Sequence, residues 1–381
     1  MRSLWFGRVD WLQRFLSFPL VSLVLLFVPS VIAVTQANAL ADRLFYPLES
    51  AIARTLEWLA KLPMPLAEIL VGDYGIVAML PFLLLYALPT IVFFSLLIAF
   101  YKSTGLMDLI VQRLHPYLNP FGLGAHDLTR VIMGFGCNVP AVVSTGSCHA
   151  CNRSACVSAI SFGSACSYQL PATLAVFAAA GMSWLGGIYL VTLGVTTLVY
   201  MRFTAPKPLR EVNTRLLPAK SIRLRSVDFK FICKNILDTV RSFLSVAVPM
   251  FFCICFIASI LKLSGILNFL AQTIGRGMAL FNLPADAAIA IAMGSIRKDG
   301  LAIGVLHSDW GSLKVALESP SQVLTIVYLA GVLLPCLVTL LTIGREMGGR
   351  FAGRLALRQA AWAIGFSVAI AWGGLLVETI L

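Results

Sequence analysis

Apolar residues run along the chain in long blocks separated by short polar stretches, the pattern of helices that cross a bilayer. Residues 16–34 form the first block. Residues 40–70 place Glu49, Arg54, Glu57 and Lys61 among Leu, Ile and Trp, which predicts an amphipathic helix lying in the membrane interface. Further spans are predicted over 74–101, kinked at Pro81 and Pro89, and over 154–181, 184–201, 240–261, 321–343 and 359–377. Residues 102–127 are polar and turn-rich, and Gly181-Met182-Ser183 reads as a tight turn between two spans.

Two apolar blocks are interrupted from within. Residues 131–143 carry Gly134, Gly136 and Pro140, each unfavourable inside a helix, and between them a thiol, Cys137, and an amide, Asn138. Residues 284–306 run apolar to Met293, pass through Gly294-Ser295-Ile296-Arg297-Lys298-Asp299-Gly300, and resume at Leu301. Broken backbone at membrane depth is tolerated where it is buried in protein or lines a wet cavity, and transporters build substrate sites this way. For residues 131–143 a glycine-lined helix contact is the competing reading. Arg297, Lys298 and Asp299 are costly in an apolar segment unless they face a cavity or pair with one another. Gly134, Gly136, Pro140, Arg297, Lys298 and Asp299 are therefore candidate pathway residues. Lys102 and Lys262, at span ends, are expected to snorkel to the interface.

The halves repeat. An offset of 160 residues pairs Pro89 with Pro249, Lys102 with Lys262, Gly105 with Gly265, Phe121 with Phe281, Leu123 with Leu283, Met133 with Met293 and Gly134 with Gly294. The most basic stretch, residues 202–230, and the loop Arg345–Arg358 are expected on the cytoplasmic side. With re-entrant broken segments, the spans 74–101 and 240–261 cross in opposite directions. The expected fold is thus an all-α polytopic membrane protein with two inverted repeats, each with a broken or re-entrant helix. The expected units are an anchor and interfacial helix over 1–70, a first repeat over 71–203, a basic linker over 204–235 and a second repeat over 236–381.

Composition sharpens this picture. Hydrophobic residues make up 59% of the chain and charged residues 12%, too few to cover a water-facing shell. The net charge of +12 sits between apolar blocks, where it sets topology, and shows no base-stacking face, so nucleic acid is not an expected partner. Ala37-Asn38-Ala39 resembles a signal-peptidase site, but the preceding run is long for a signal sequence and reads as an anchor. Of nine cysteines, five lie within 137–166, which argues for buried thiols or soft metal ligands over a disulfide framework. Cys148, His149, Cys151 and Cys156 have the spacing of a metal cluster, a redox pair or an unligated turn, and Arg153 would stabilise thiolates if it pointed inward. No catalytic triad, paired carboxylates or phosphate-binding glycine loop is present, so no enzyme is expected.

Gly134-Phe135-Gly136-Cys137-Asn138-Val139-Pro140-Ala141 resembles the core motif in the membrane part of ferrous iron transport protein B, the gate or nucleoside-recognition domain. Val71-Gly72-Asp73-Tyr74-Gly75, Ser164-Ala165-Cys166-Ser167-Tyr168-Gln169-Leu170-Pro171, Lys298-Asp299, Pro335-Cys336 and Arg345-Glu346 resemble its further motifs, in order. The resemblance implies a multi-pass transporter of the bacterial inner membrane, with ferrous iron or another divalent metal as cargo and no tightly bound cofactor. Cys137, Cys166 and Cys336 match cysteines of those motifs and are, with Asn138, its candidate metal ligands. Two departures stand out. No Gly-x-x-x-x-Gly-Lys-Ser/Thr occurs, so the expectation is a gate unit without the GTP-binding domain, driven by the membrane potential, a gradient, or a separate G protein or small cytosolic regulator. Near residue 102 the family's acidic pair is replaced by Tyr101-Lys102-Ser103-Thr104, which favours an alternative cargo, a small organic or anionic solute. A non-transporting membrane partner of a larger assembly is a third reading, and a homo-oligomer is compatible with each.

Overall fold

The computed structural model describes residues 18–380 apart from 73–74, 83, 86–87, 148–149, 167–168, 207–225, 265–272, 274, 297 and 299–318. The described residues are helical throughout, with no strand among them. In an apolar solvent this is forced, because a helix satisfies its backbone within its own segment.

Helix α1, Pro19–Leu59, starts on a proline whose missing N–H costs nothing at a first turn. It runs unbroken through residues 34–40, where the sequence divides a span from an interfacial helix. Gln36-Ala37-Asn38-Ala39 contains neither glycine nor proline, so nothing there ends the helix. Glu49, Arg54 and Glu57 of the predicted interfacial helix fall within α1, and only its last residues form a separate helix, α2, Met64–Val71. Within the predicted span 74–101 the described residues form α3, Ile76–Phe82, and α4, Leu88–Thr104, with Pro89 in the first turn of α4. Gly105, at φ 75°, turns the chain into α5, Leu106–Leu118.

Helix α6, Ala125–Gly136, and α7, Asn138–Ser144, form the broken stretch. The next predicted span, 154–181, is also broken: α8, Ala150–Gly163, and α9, Gln169–Ala179, flank non-helical Ser164-Ala165-Cys166. Pro171 requires α9 to begin afresh just before it. Helix α10, Leu185–Thr204, follows the predicted turn, with Gly181 at φ 74°. Helix α11, Phe229–Ser242, begins inside the stretch the sequence assigns to the basic linker, capped by Asp228 Oδ1 accepting from the N–H groups of Lys230 and Phe231. A π turn at Phe243–Ala247 accommodates Pro249 ahead of α12, Val248–Leu263. Helix α13, Ala287–Ile296, ends where the second interruption was expected. The predicted span 321–343 is α14, Pro320–Val332, and α15, Leu337–Met347, parted around Pro335. Helix α16, Gly349–Ile380, closes the chain. By length and apolarity, residues Leu185–Thr204, Pro320–Met347 and Gly349–Ile380 are each able to cross a membrane.

The core draws on both halves. Ile160, Phe162, Tyr189, Tyr200, Val327, Tyr328, Ile343 and Ala363 are all fully buried in one cluster. Small residues let the backbones approach: a Cβ at Gly163 would meet Thr197 Cγ2 at 2.6 Å, and one at Gly374 would meet Ser321 Cβ at 2.5 Å.

The repeat recurs as local structure. Leu123 N donates to Leu118 O, and Leu283 N to Met278 O; Gly122 N donates to Asn119 O, and Asn282 N to Ala279 O; Asp127 N donates to Gly124 O, and Ala287 N to Pro284 O. Each pair is separated by the same offset, and Gly122 and Asn282 both take positive φ. Asn tolerates that conformation, which explains why a non-glycine stands at 282.

The two ends of the bundle differ. At one, Arg202 Nη1 donates to Pro120 O at 2.6 Å, Arg358 Nη2 to Ser158 Oγ at 2.7 Å, and Arg153 Nη2 pairs with Glu346 Oε2 at 2.7 Å. At the other, Glu378 Oε1 accepts from Ser321 N at 2.8 Å and Trp372 Nε1 donates to Leu280 O at 3.0 Å. Pro120 and Leu280 are equivalent under the repeat, yet they bond at opposite ends.

Candidate functional site

Cys137 is the break. Its φ of −156° and ψ of 131° are extended, so this one residue ends α6 and starts α7. Cys137 N still donates to Met133 O at 3.3 Å, and Cys137 O accepts from Ala141 N at 3.4 Å, the first bond of α7; Pro140 has no N–H to give to Gly136 O. Asp127, at the start of α6, accepts from Asn152 Nδ2, and Thr145, just after α7, accepts from Arg153 Nε at 3.3 Å. Both ends of the α6–α7 pair thus meet the first turn of α8. The chain enters from the arginine end, turns at Cys137 and returns.

The second break of this half sits on the first. A Cβ at Gly134 would lie 2.5 Å from Ser164 Oγ and 2.8 Å from Asn138 Oδ1, so only glycine admits this packing. Ser164 Oγ donates to Val131 O at 2.6 Å, and Asn138 Nδ2 donates to Ser164 O at 3.5 Å. Asn138 Oδ1 is buried and accepts from no donor among the described residues. A buried amide oxygen without a donor is costly, and marks a place for a cation or an ordered water.

The other half contributes its own breaks. Cys137 lies within electrostatic range of Cys166 and Cys336, and Lys298 within range of the same two thiols. Cys336 caps α15, its Sγ accepting from Thr339 N at 3.4 Å and lying 2.9 Å from Thr339 Oγ1. Four interruptions, at 137, 164–166, 298 and 333–336, therefore meet in the interior. Among the described residues no three Cys, His, Asp or Glu side chains stand close enough together to hold a metal ion. The three thiols are gathered without forming a cage, and the Cys336 sulfur is already engaged at a helix end.

A cavity of about 200 Å³ opens onto Cys137. Gly136, Pro140 and Ser144 form one side of its wall, Ser95 and Lys102 another, and Asn235, Asp238 and Thr239 a third. Ser95 Oγ is 3.0 Å from Thr239 Oγ1, and Asn235 Nδ2 donates to Ser95 Oγ at 3.2 Å. Lys102 lines this cavity, whereas its place at a span end predicts an interfacial position. Ser95, Asn235, Asp238 and Thr239 were missed altogether. The stripe Asn235-Asp238-Thr239, at i, i+3 and i+4 along α11, was the available signal.

Cys156 and Arg153 separate from this site. Cys156 is buried in the core cluster. Arg153 does not point toward thiols: it bonds Thr145 and Glu346. Cys148, His149, Arg297 and Asp299 lie outside the described residues, and of Cys151 only the backbone, at the start of α8, is described.

The family described as Gate, nucleoside recognition, matches residues 84–181 and 244–350, together more than half of the chain. The two matched segments begin 160 residues apart, the offset of the repeat, and contain the breaks at 137 and 164–166 and those at 298 and 333–336. The Fe(2+) transporter FeoB of Methanocaldococcus jannaschii is 24% identical over 293 residues, covering 69% of this chain and 44% of that protein. The chain thus spans less than half the length of that curated relative. No solved structure matches it. Motif, helix breaks and family match coincide on the same residues, and the chain belongs to the Gate, or nucleoside-recognition, family of membrane proteins.

Proposed function

We propose that this chain is a membrane permease for a divalent metal ion, with ferrous iron the favoured cargo, built from two inverted repeats that each contribute a broken helix to one central site. The observation that carries the reading is the convergence of four helix breaks around Cys137, beside the undonated Asn138 Oδ1 and under a cavity. Thiol sulfur and amide oxygen are donors a borderline divalent metal accepts. A site that gathers them loosely suits transport, because an ion must leave as well as enter. Cys166 and Cys336 are proposed to complete the coordination in another state of the bundle. The bonding of the equivalent carbonyls of Pro120 and Leu280 at opposite ends supports the inversion. Energy is proposed to come from the membrane potential, an ion gradient or a separate G protein.

Lys102 in the cavity wall favours a second reading, a small anionic solute as cargo. One experiment separates the two. Full-length protein in liposomes is assayed for uptake of Fe²⁺, Mn²⁺, Zn²⁺ and Co²⁺. Saturable, thiol-reagent-sensitive uptake with Fe²⁺ preferred is expected. Absence of metal uptake, with transport of an organic anion, would replace the metal reading by the second.

A further inference from the structure

Lys298 follows α13 and is 7% exposed. Its Nζ donates to Ala330 O at 3.3 Å, Gly331 O at 2.7 Å and Leu334 O at 2.5 Å. These oxygens belong to the end of α14 and the turn after it. A helix leaves its last four carbonyls without intrahelical donors and concentrates partial negative charge there. In α14 all four are accounted for. Leu333 N donates to Leu329 O at 2.8 Å, Gln359 Nε2 to Val332 O at 2.8 Å, and Lys298 serves Ala330 and Gly331. The helix end therefore holds three oxygens aimed at one buried point, and that point carries a positive charge on a side chain. In the other half the equivalent position is Asn138, which is neutral and reaches a single carbonyl of its own second break, Ser164 O. The first break of a repeat thus does not by itself require a cation. The carbonyl cluster at the end of α14 does.

We propose that the carbonyls of Ala330, Gly331 and Leu334 form a monovalent-cation site, occupied here by the Lys298 ammonium as a tethered ion and able to take Na⁺ or K⁺ once that ammonium is gone. Converging backbone carbonyls replace the hydration shell of an alkali ion in the same way as they satisfy an ammonium. The inference does not rest on the divalent-metal reading, and its test reads stability rather than flux.

The full chain in detergent is melted in NaCl, KCl and N-methylglucamine chloride at equal ionic strength. Wild type should melt at one temperature in all three. Lys298→Ala empties the point, and Na⁺ or K⁺ at about ten times its Kd should raise its Tm by about 2 °C over N-methylglucamine. Lys298→Met fills the same volume with an apolar chain and should lose stability without gaining any response to alkali ions. The proposal is overturned if Lys298→Ala melts identically in the three salts, if it fails to fold in Na⁺ and K⁺ alike, or if Lys298→Met responds as strongly as Lys298→Ala.

Discussion

A methyl group at Gly134 would be driven into Ser164 and Asn138, both fixed by hydrogen bonds to neighbouring backbone. Gly134→Ala should therefore destabilise the protein by about 1–3 kcal/mol, whereas Gly187→Ala, which meets nothing within 4 Å, should be neutral or stabilise by up to about 1 kcal/mol. Thermal melts of the two variants side by side check this, and equal losses would mean that the Gly134 contact is slack. Cys137 calls for a different measurement. It lines the cavity, so a small thiol reagent should modify it faster than Cys166, which is 6% exposed, and bound metal should protect it. Cys137→Ser keeps the size of the side chain but removes a soft ligand, so metal uptake should fall about tenfold or more with the melting temperature unchanged. Wild-type uptake by this variant would make Cys137 a packing residue. At this scale Gly134, Cys137 and Asn138 were legible because helix breakers and polar groups stand out in an apolar run. Ser95 and Asp238 were not, since the contact joining Ser95 to Asn235 spans 140 residues and leaves no local trace.

Whole helices were less legible than single residues. The breaks at 164–166 and 333–336 lie in stretches whose apolar composition reads as continuous, and only Pro171 and Pro335 betray them. Hydropathy sums over a window, so it does not register a few extended residues. What holds these breaks open is hydrogen bonding that the sequence does not display. Gln359, fully buried on α16, accepts from Ser161 Oγ at 2.6 Å and donates to Ser161 O at 3.3 Å and Val332 O at 2.8 Å. It thereby ties α8 to the end of α14. Gln359→Leu has similar volume but leaves the Val332 carbonyl without a donor in the interior, and should cost about 1–3 kcal/mol. The Arg153–Glu346 pair ties α8 to α15 over a comparable sequence distance, but its side chains are 22% and 30% exposed. Glu346→Gln should therefore cost no more than about 1 kcal/mol. Melting curves that reversed this order would show that the ion pair, not the buried amide, holds the halves together.

For the molecule as a whole, orientation follows from which end carries the arginines. Arg153, Arg202 and Arg358 are joined by their contacts to one end of the bundle, and Arg345, in the last turn of α15, and Arg350 and Arg354, in the first turns of α16, lie on the chain leading to Arg358. The opposite end holds Glu378, bonded to Ser321, and the Trp372 contact with Leu280. Positively charged segments are retained on the cytoplasmic side during insertion, so the arginine end is expected to face the cytoplasm. Residues 207–225 lie outside the described residues, but they leave α10 just past Arg202 and carry more basic residues, which places their attachment at the same end. Helix α16, with 32 residues, is about 48 Å long, more than the hydrocarbon thickness of a bilayer, and it runs from the arginine end to the Glu378 end. A reporter inserted at Arg215 and one fused after Leu381 should therefore give opposite signals, cytosolic at 215 and external after 381. The α6–α7 hairpin, ahead of this path, is expected to add no crossing, because Asp127 and Thr145 both meet the first turn of α8. If that hairpin crossed fully instead, the parity between an external mark near Glu378 and the loop after Arg202 would be unchanged, and Ser147, two spans ahead of Arg202, would stay inside, but a mark ahead of α6, near Tyr117, would move outside. Accessibility of a cysteine placed at Tyr117, exposed ahead of the hairpin, thus tests it separately: labelling from the cytoplasmic side is expected, and labelling only from outside would show that the broken stretch spans the membrane.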